Sequence, residues 1–173
     1  VLAGLGAVTE ELGNKHPGHM VVKLITCMVV RVFPVRYGMV RISGKAFCHG
    51  QGIGFAVVNN LDGYDEISLT DEFKVMTNRY ETIYKPSELG FSLARQEELY
   101  GGNTPEEASK IFNNVLENKA TKAQTDCVLI NASFAIQAME PAKPIEECVA
   151  IARESLESGK ALNTLKKFVE LNS

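Results

Sequence analysis

Along the second half of the chain, apolar residues recur with a helical period. Ala108, Ile111, Phe112, Val115 and Leu116 are spaced i, i+3, i+4, i+7 and i+8, which predicts one apolar face of a helix ending near Asn118. Just ahead of it, Thr104-Pro105-Glu106-Glu107 offers an N-cap hydroxyl, a proline at the first helical position and a capping-box glutamate at the third. The next stretch, about residues 123–139, is apolar on most sides, with Cys127, Val128, Leu129, Ile130, Phe134, Ala135 and Ile136. A helix of that kind belongs in the interior, with Val128, Ile130 or Phe134 among its most buried positions. Pro141 and Pro144 separate it from a third helix over residues 144–158, which Gly159 can close in the left-handed conformation. A last amphipathic helix starts at Ala161 and carries Leu162, Leu165, Phe168 and Val169 on one face.

The middle of the chain reads as β. Phe55-Ala-Val-Val is a short apolar run, Leu61-Asp-Gly-Tyr supplies a turn, and residues 67–70 are expected to begin a second strand. Residues 73–77 and 81–84 flank Asn78-Arg79-Tyr80 as a hairpin. Strands followed by helices imply an α/β layer domain. The first fifty-odd residues are strand-prone by composition, with Val21-Val22, Leu24-Ile25 and Val32-Phe33, but their alternation gives no clean register. The chain therefore divides into an unassigned basic segment, 1–54, and an α/β part, 55–173.

Composition changes this picture little. The hydrophobic fraction of 45% and charged fraction of 23% are ordinary for a globular chain of 173 residues. No apolar run approaches the roughly 20 residues of a transmembrane helix, and no secretory signal is recognisable at the front. The four cysteines (Cys27, Cys48, Cys127, Cys148) have no CxxC spacing and read as reduced thiols. A cytoplasmic chain with no membrane partner is the expectation. Charge is uneven: residues 1–54 carry six Lys/Arg against two Glu, and residues 55–173 twelve against nineteen Asp/Glu. A net charge of −3 argues against nucleic acid as a partner.

Candidate chemistry concentrates in Asp62-Gly63-Tyr64-Asp65-Glu66-Ile67-Ser68. Adjacent carboxylates at the mouth of a strand can hold a hard cation, which magnesium commonly shares between protein and substrate phosphates; a solvated acidic turn is the plainer alternative. Gly50-x-Gly52-x-Gly54 precedes a strand instead of opening a helix, so it reads as a flexible turn and not a phosphate cradle. His16, His19, Cys27, Cys48 and His49 lack a standard zinc spacing and read as scattered residues.

Several of these segments carry a resemblance. Asn59-Asn-Leu-Asp-Gly-Tyr-Asp-Glu-Ile-Ser-Leu-Thr70 is similar to the anthranilate phosphoribosyltransferase segment in which a Gly-Leu-Asp-Glu-Ser-type turn presents a metal-binding Asp-Glu pair. Tyr100-Gly-Gly-Asn-Thr-Pro-Glu-Glu-Ala resembles that family's Gly-Gly-rich lead into a helix. Leu129-Ile-Asn-Ala-Ser-Phe-Ala resembles its Leu-Asn-Ala-Ala helix, and Ala152-Arg-Glu-Ser-Leu-Glu-Ser-Gly-Lys-Ala its closing signature. Residues from about 55 to 173 thus look like the C-terminal part of such an enzyme. The resemblance implies a partial phosphoribosyltransferase/nucleoside phosphorylase-like α/β domain with strands packed against C-terminal helices. It also implies Mg2+ as cofactor, with Asp65 and Glu66 as its metal residues, and phosphoribosyl pyrophosphate and anthranilate as substrates. A homo-oligomer is among the assemblies it allows.

The chain also departs from the family pattern. Tyr64 replaces the usual Leu, and Asp71-Glu72-Phe73 stands where many members have Gly-Pro-Thr. The family's Gly-Thr-Gly-Gly-Asp phosphate loop and its Lys-His-Gly-Asn segment have no match, and the N-terminal helical domain is missing. Pro34-Val35-Arg36 lacks the continuation of the anthranilate-binding segment, so Arg36 takes no role. The expectation is a truncated member, inactive alone, of an enzyme moving a phosphoribosyl group to anthranilate in tryptophan biosynthesis. A non-catalytic, partner-binding fragment is the alternative, and a nucleoside phosphorylase a weaker one.

Overall fold

Three short strands and then four α-helices build the part of the protein that the computed structural model describes, residues 56–77 and 79–172. β1 (Ala56–Asn60), β2 (Phe73–Thr77) and β3 (Glu81–Tyr84) form an antiparallel sheet in that order. Ala56 lies opposite Thr77 and Asn60 opposite Phe73, while Phe73 in turn faces Tyr84 across the second pair. Phe73 and Val75 of the central strand turn one face fully into the core. Lys74, on the opposite face, ion-pairs with Glu81 of the edge strand β3, where Ile83 is half exposed. The hairpin joining β2 to β3 was legible from the sequence. Its closing bond, from the Thr77 amide to the Tyr80 carbonyl, is 2.8 Å long.

The expected strand at residues 67–70 is not one. Leu69 has φ of 62°, outside the extended region, so no ladder can run through it. The segment is nonetheless deeply buried, with Ile67 and Leu69 at 0% exposure. Its backbone groups are satisfied by side chains and by an irregular neighbour: Leu69 accepts from the Ala94 amide at 2.8 Å. A buried chain needs all its polar groups paired, and here the partners are not another strand.

The helices follow their caps. α1 (Pro105–Leu116) starts on Thr104, whose hydroxyl accepts from the Glu107 amide at 3.2 Å. The Glu107 carboxylate reaches back one residue further than a capping box requires, to the Asn103 amide. Gly102 makes that close approach feasible, since a Cβ there would lie 2.6 Å from the Cβ of Glu107. At the other end Asn118, with φ of 58°, closes a Schellman motif: the Lys119 amide bonds the Asn114 carbonyl and the Asn118 amide that of Val115. α2 (Lys122–Met139) is capped by a Thr121/Gln124 box that the sequence pattern had not singled out. α3 (Ile145–Glu157) runs on to Gly159, left-handed as expected with φ of 79°, which also begins α4 (Lys160–Leu171).

The core lies between the sheet, the buried 67–70 segment and α2 and α3. Ile130 and Phe134 of α2 are buried, as expected, in one core cluster with Phe73 and Val75 of β2 and Cys148, Ala152 and Leu156 of α3. Phe73, Tyr84 and Phe134 form an aromatic trio with ring centroids 5.7 to 6.0 Å apart. Val128 is only half-buried, because the opposite side of α2 borders an apolar groove. With Ala108, Ile111 and Phe112 of α1 it encloses about 250 Å³. The expected apolar face of α4 is likewise covered in part: Leu162 and Leu165 pack on the core, whereas Phe168 and Val169 are exposed. The arrangement is the α/β one, strands packed against C-terminal helices. Among the described residues no helix is long and apolar enough to cross a membrane.

Candidate functional site

The acidic residues sit in the connection from β1 to β2, and Asn60 organises it. This asparagine, 1% exposed at the end of β1, donates through its backbone amide to the Tyr64 carbonyl at 2.9 Å. Its side-chain oxygen accepts from the Ser68 amide at 3.3 Å, and its side-chain nitrogen donates to Asp62 Oδ1 at 2.8 Å. Gly63 makes the reversal with φ of 110°, a conformation that glycine alone adopts freely. Leu61 closes the base of the loop by bonding the Glu72 carbonyl at 2.9 Å.

Three carboxylates share this turn, and they are not equivalent. Asp62 is consumed by the fold: Oδ1 accepts from Asn60 and Oδ2 from the Thr70 hydroxyl, which itself accepts from Ser68 Oγ at 2.6 Å. Desolvation at the turn works to raise its pKa, but the hydrogen bonds from Thr70 and Asn60 prevail and hold it below the ordinary carboxylate range. Asp65 is exposed and Glu66 half-buried. Among the described residues, neither has a hydrogen-bond or ion-pair partner. Burial pushes the Glu66 carboxyl up, and the neighbouring charge of Asp65 pushes it the same way. Adjacent carboxylates with no partner among the described residues, one of them half-buried, favour a positive charge, and their hard oxygens suit a magnesium-like ion.

Cys127 of α2 lies against the same segment, donating its Sγ proton to the Ile67 carbonyl at 3.1 Å. Burial, with the Glu66 charge second, raises its thiol to about 12, so it stays protonated at neutral pH. Among the described residues no group of three or more His, Cys, Asp or Glu side chains is placed to hold a metal. Asn131 of α2 completes the setting: its side-chain oxygen accepts from the Ile67 amide at 3.1 Å and its nitrogen donates to the Ile67 carbonyl at 2.8 Å.

The sequence pattern singled out Asp65 and Glu66, which lie in the connection just after the Gly63 turn, the first exposed and the second half-buried. It missed Asn60, Thr70 and Asn131. For Asn131 a signal existed: an amide side chain within an apolar helical run must find a partner somewhere. His16, His19, Cys27, Arg36, Cys48, His49 and Gly50-x-Gly52-x-Gly54 lie outside the described residues.

The sequence profile of the glycosyl transferase family, a/b domain, matches residues 42–162. The chain belongs to that family. An anthranilate phosphoribosyltransferase of Bacteroides fragilis is 66% identical over 118 residues, covering 68% of this chain and 36% of that one. The corresponding protein of Bacteroides thetaiotaomicron is 62% identical over 119 residues, with the same 36% of its length matched. The chain thus spans about a third of the length of these curated relatives. Among solved structures, the anthranilate phosphoribosyltransferase of Thermus thermophilus superposes with a TM-score of 0.67 at 29% identity, over 73% of this chain and 38% of that one. The Saccharomyces cerevisiae enzyme, solved in complex with phosphoribosyl pyrophosphate and Mg, has the same fold here, with a TM-score of 0.60 at 23% identity over 67% of this chain and 33% of that one.

Proposed function

We propose that this glycosyl transferase family chain supplies the metal-holding turn for transfer of a phosphoribosyl group from phosphoribosyl pyrophosphate to anthranilate, with Asp65 and Glu66 as the Mg2+ residues. The observation that carries the proposal is the division of labour among the three carboxylates. Asp62 spends both oxygens on the fold, whereas Asp65 and Glu66 stand adjacent and unpaired among the described residues. The names of the Bacteroides relatives support the substrates, and the yeast complex supports the cofactor.

In this reading Asn60 and Thr70 keep Asp62 out of the ligand set and hold the turn open. Asp65, exposed, is free to meet an incoming ion, and Glu66, partly desolvated, gains most from its positive charge. The bound ion would neutralise the leaving pyrophosphate as a Lewis acid. The chain alone carries out no measurable transfer, since the family's Gly-Thr-Gly-Gly-Asp and Lys-His-Gly-Asn motifs have no counterpart among its 173 residues.

The test is a titration of the full chain with Mg2+ or Mn2+, following the backbone amides of residues 62–68. Without donor phosphates the pair should bind only in the millimolar range, on the order of 4 kcal/mol. Asp65→Asn and Glu66→Gln should each weaken that binding. Shifts centred elsewhere, or unchanged by both substitutions, would leave the pair an ordinary acidic turn. Detection of phosphoribosyl anthranilate from the purified chain, with host enzyme excluded, would overturn the statement about activity.

A further inference from the structure

We infer that Asn131 is a positioning residue for the acidic pair, fixing the backbone from which the Glu66 side chain projects, from a helix 64 residues further along the chain. The inference rests on the metal role proposed for Asp65 and Glu66.

The geometry is a two-point grip. One planar amide accepts from the Ile67 amide at 3.1 Å and donates to the Ile67 carbonyl at 2.8 Å, occupying both backbone groups of a single residue. A third bond, from the same nitrogen to the Cys127 carbonyl at 2.8 Å, ties the amide to its own helix. The side chain is therefore oriented by α2 and not by the turn it holds. α2 is itself anchored in the core by Leu129, Ile130 and Phe134, each at most 2% exposed.

The leverage on Glu66 follows from peptide planarity. The Ile67 N–H lies in the same plane as the Glu66 carbonyl and Glu66 Cα. Fixing that N–H against Asn131 removes rotation about the last soft bond of Glu66. The Ile67 side chain, fully buried, fixes the next residue. On the far side, Asn60 holds the Ser68 amide at 3.3 Å. Glu66 thus leaves a peptide plane that cannot turn, although its carboxylate has no direct partner among the described residues. Placing an amide in an otherwise apolar helical run is unfavourable unless it is satisfied. The partner that satisfies this one is the backbone immediately after the acidic pair.

Asn131→Ala deletes the grip, and the near-isosteric Asn131→Leu deletes it without opening a cavity, so that loss of the grip is read apart from loss of packing. Ser133→Ala is the control, because among the described residues the Ser133 hydroxyl bonds only the Leu129 carbonyl of its own helix, at 2.6 Å. The full-length chain is titrated with Mn2+, reading paramagnetic broadening of the amides of residues 62–68, and Ile67 hydrogen exchange is followed in parallel. We expect both Asn131 variants to lose Ile67 protection and to bind Mn2+ about tenfold more weakly, the low end for outer-shell partners of metal ligands. Ser133→Ala should bind as the unsubstituted chain does. Binding by Asn131→Leu within about twofold of the unsubstituted chain, or equal weakening by Ser133→Ala, overturns the positioning role. The unsubstituted chain separates the two proposals: if it shows no broadening at residues 62–68, the metal reading itself fails, and this inference with it.

Discussion

Replacing Phe134 by alanine tests the packing on which both proposals stand. The ring is 2% exposed and joins the helical layer to the sheet. It meets Phe73 edge-on, with centroids 6.0 Å apart at 76°, and Tyr84 at 5.7 Å and 51°. Truncation removes the transfer free energy of the ring and leaves a cavity, together about 3–5 kcal/mol. Of that, each aromatic contact contributes about 0.5–1.5 kcal/mol. Phe134→Leu refills most of the volume and should lose only about 1–2 kcal/mol, so the order of the two variants matters as much as their size. Urea unfolding followed by far-UV circular dichroism reads both, with a lower midpoint and an unchanged slope. Since a domain of this kind is stable by about 5–15 kcal/mol, the alanine variant should lose a sizeable fraction of its stability. A loss below about half a kcal/mol for Phe134→Ala would mean that α2 is not seated on the sheet as described.

Other expectations concern the turn and its surroundings. Asn60→Ala leaves the buried Ser68 amide without its acceptor and should cost about 2–4 kcal/mol in the same unfolding assay; a change under about half a kcal/mol would remove Asn60 as the organiser of the loop. Because the folded Asp62 carboxyl lies below its ordinary value of 3.8, the stability it adds is present above that pH and is lost as pH falls through the depressed folded value. Asp62→Asn should therefore flatten the acid limb of a melting-temperature profile, and an unchanged limb would count against the Asn60–Asp62–Thr70 network. Burial raises the Cys127 thiol to about 12 and also raises that of the fully buried Cys148. Peptide mapping after iodoacetamide treatment at mildly alkaline pH should find both unmodified in the native chain, and rapid labelling of Cys127 would show that the segment above it opens.

Local chemistry made much of this protein legible from residue order alone. Helix α1 was readable because its signals lie within a turn or two of each end: Thr104 and Pro105 at the start, the left-handed Asn118 at the finish. The β2–β3 hairpin and the left-handed Gly159 are of the same kind, short-range patterns with one physical solution. The 67–70 segment was different. Its composition favours a strand, but side chains from Asn60 and Asn131 take its backbone groups, and no local pattern announces a partner 64 residues away. Nor could the acidic run alone tell Asp62 from Asp65, since three nearby carboxylates differ only in what the fold brings to them. Thr70 and Asn60 reach the first, and among the described residues nothing reaches the other two. The period places Leu162, Leu165, Phe168 and Val169 on one face of α4, yet Phe168 and Val169 remain exposed, because helical period reports which residues share a side and not whether anything covers it. Residue order thus determined the elements and the candidate ligands, while long-range hydrogen bonds and burial, which exist only once the chain has folded, decided that Asp62 is the carboxylate committed to the turn.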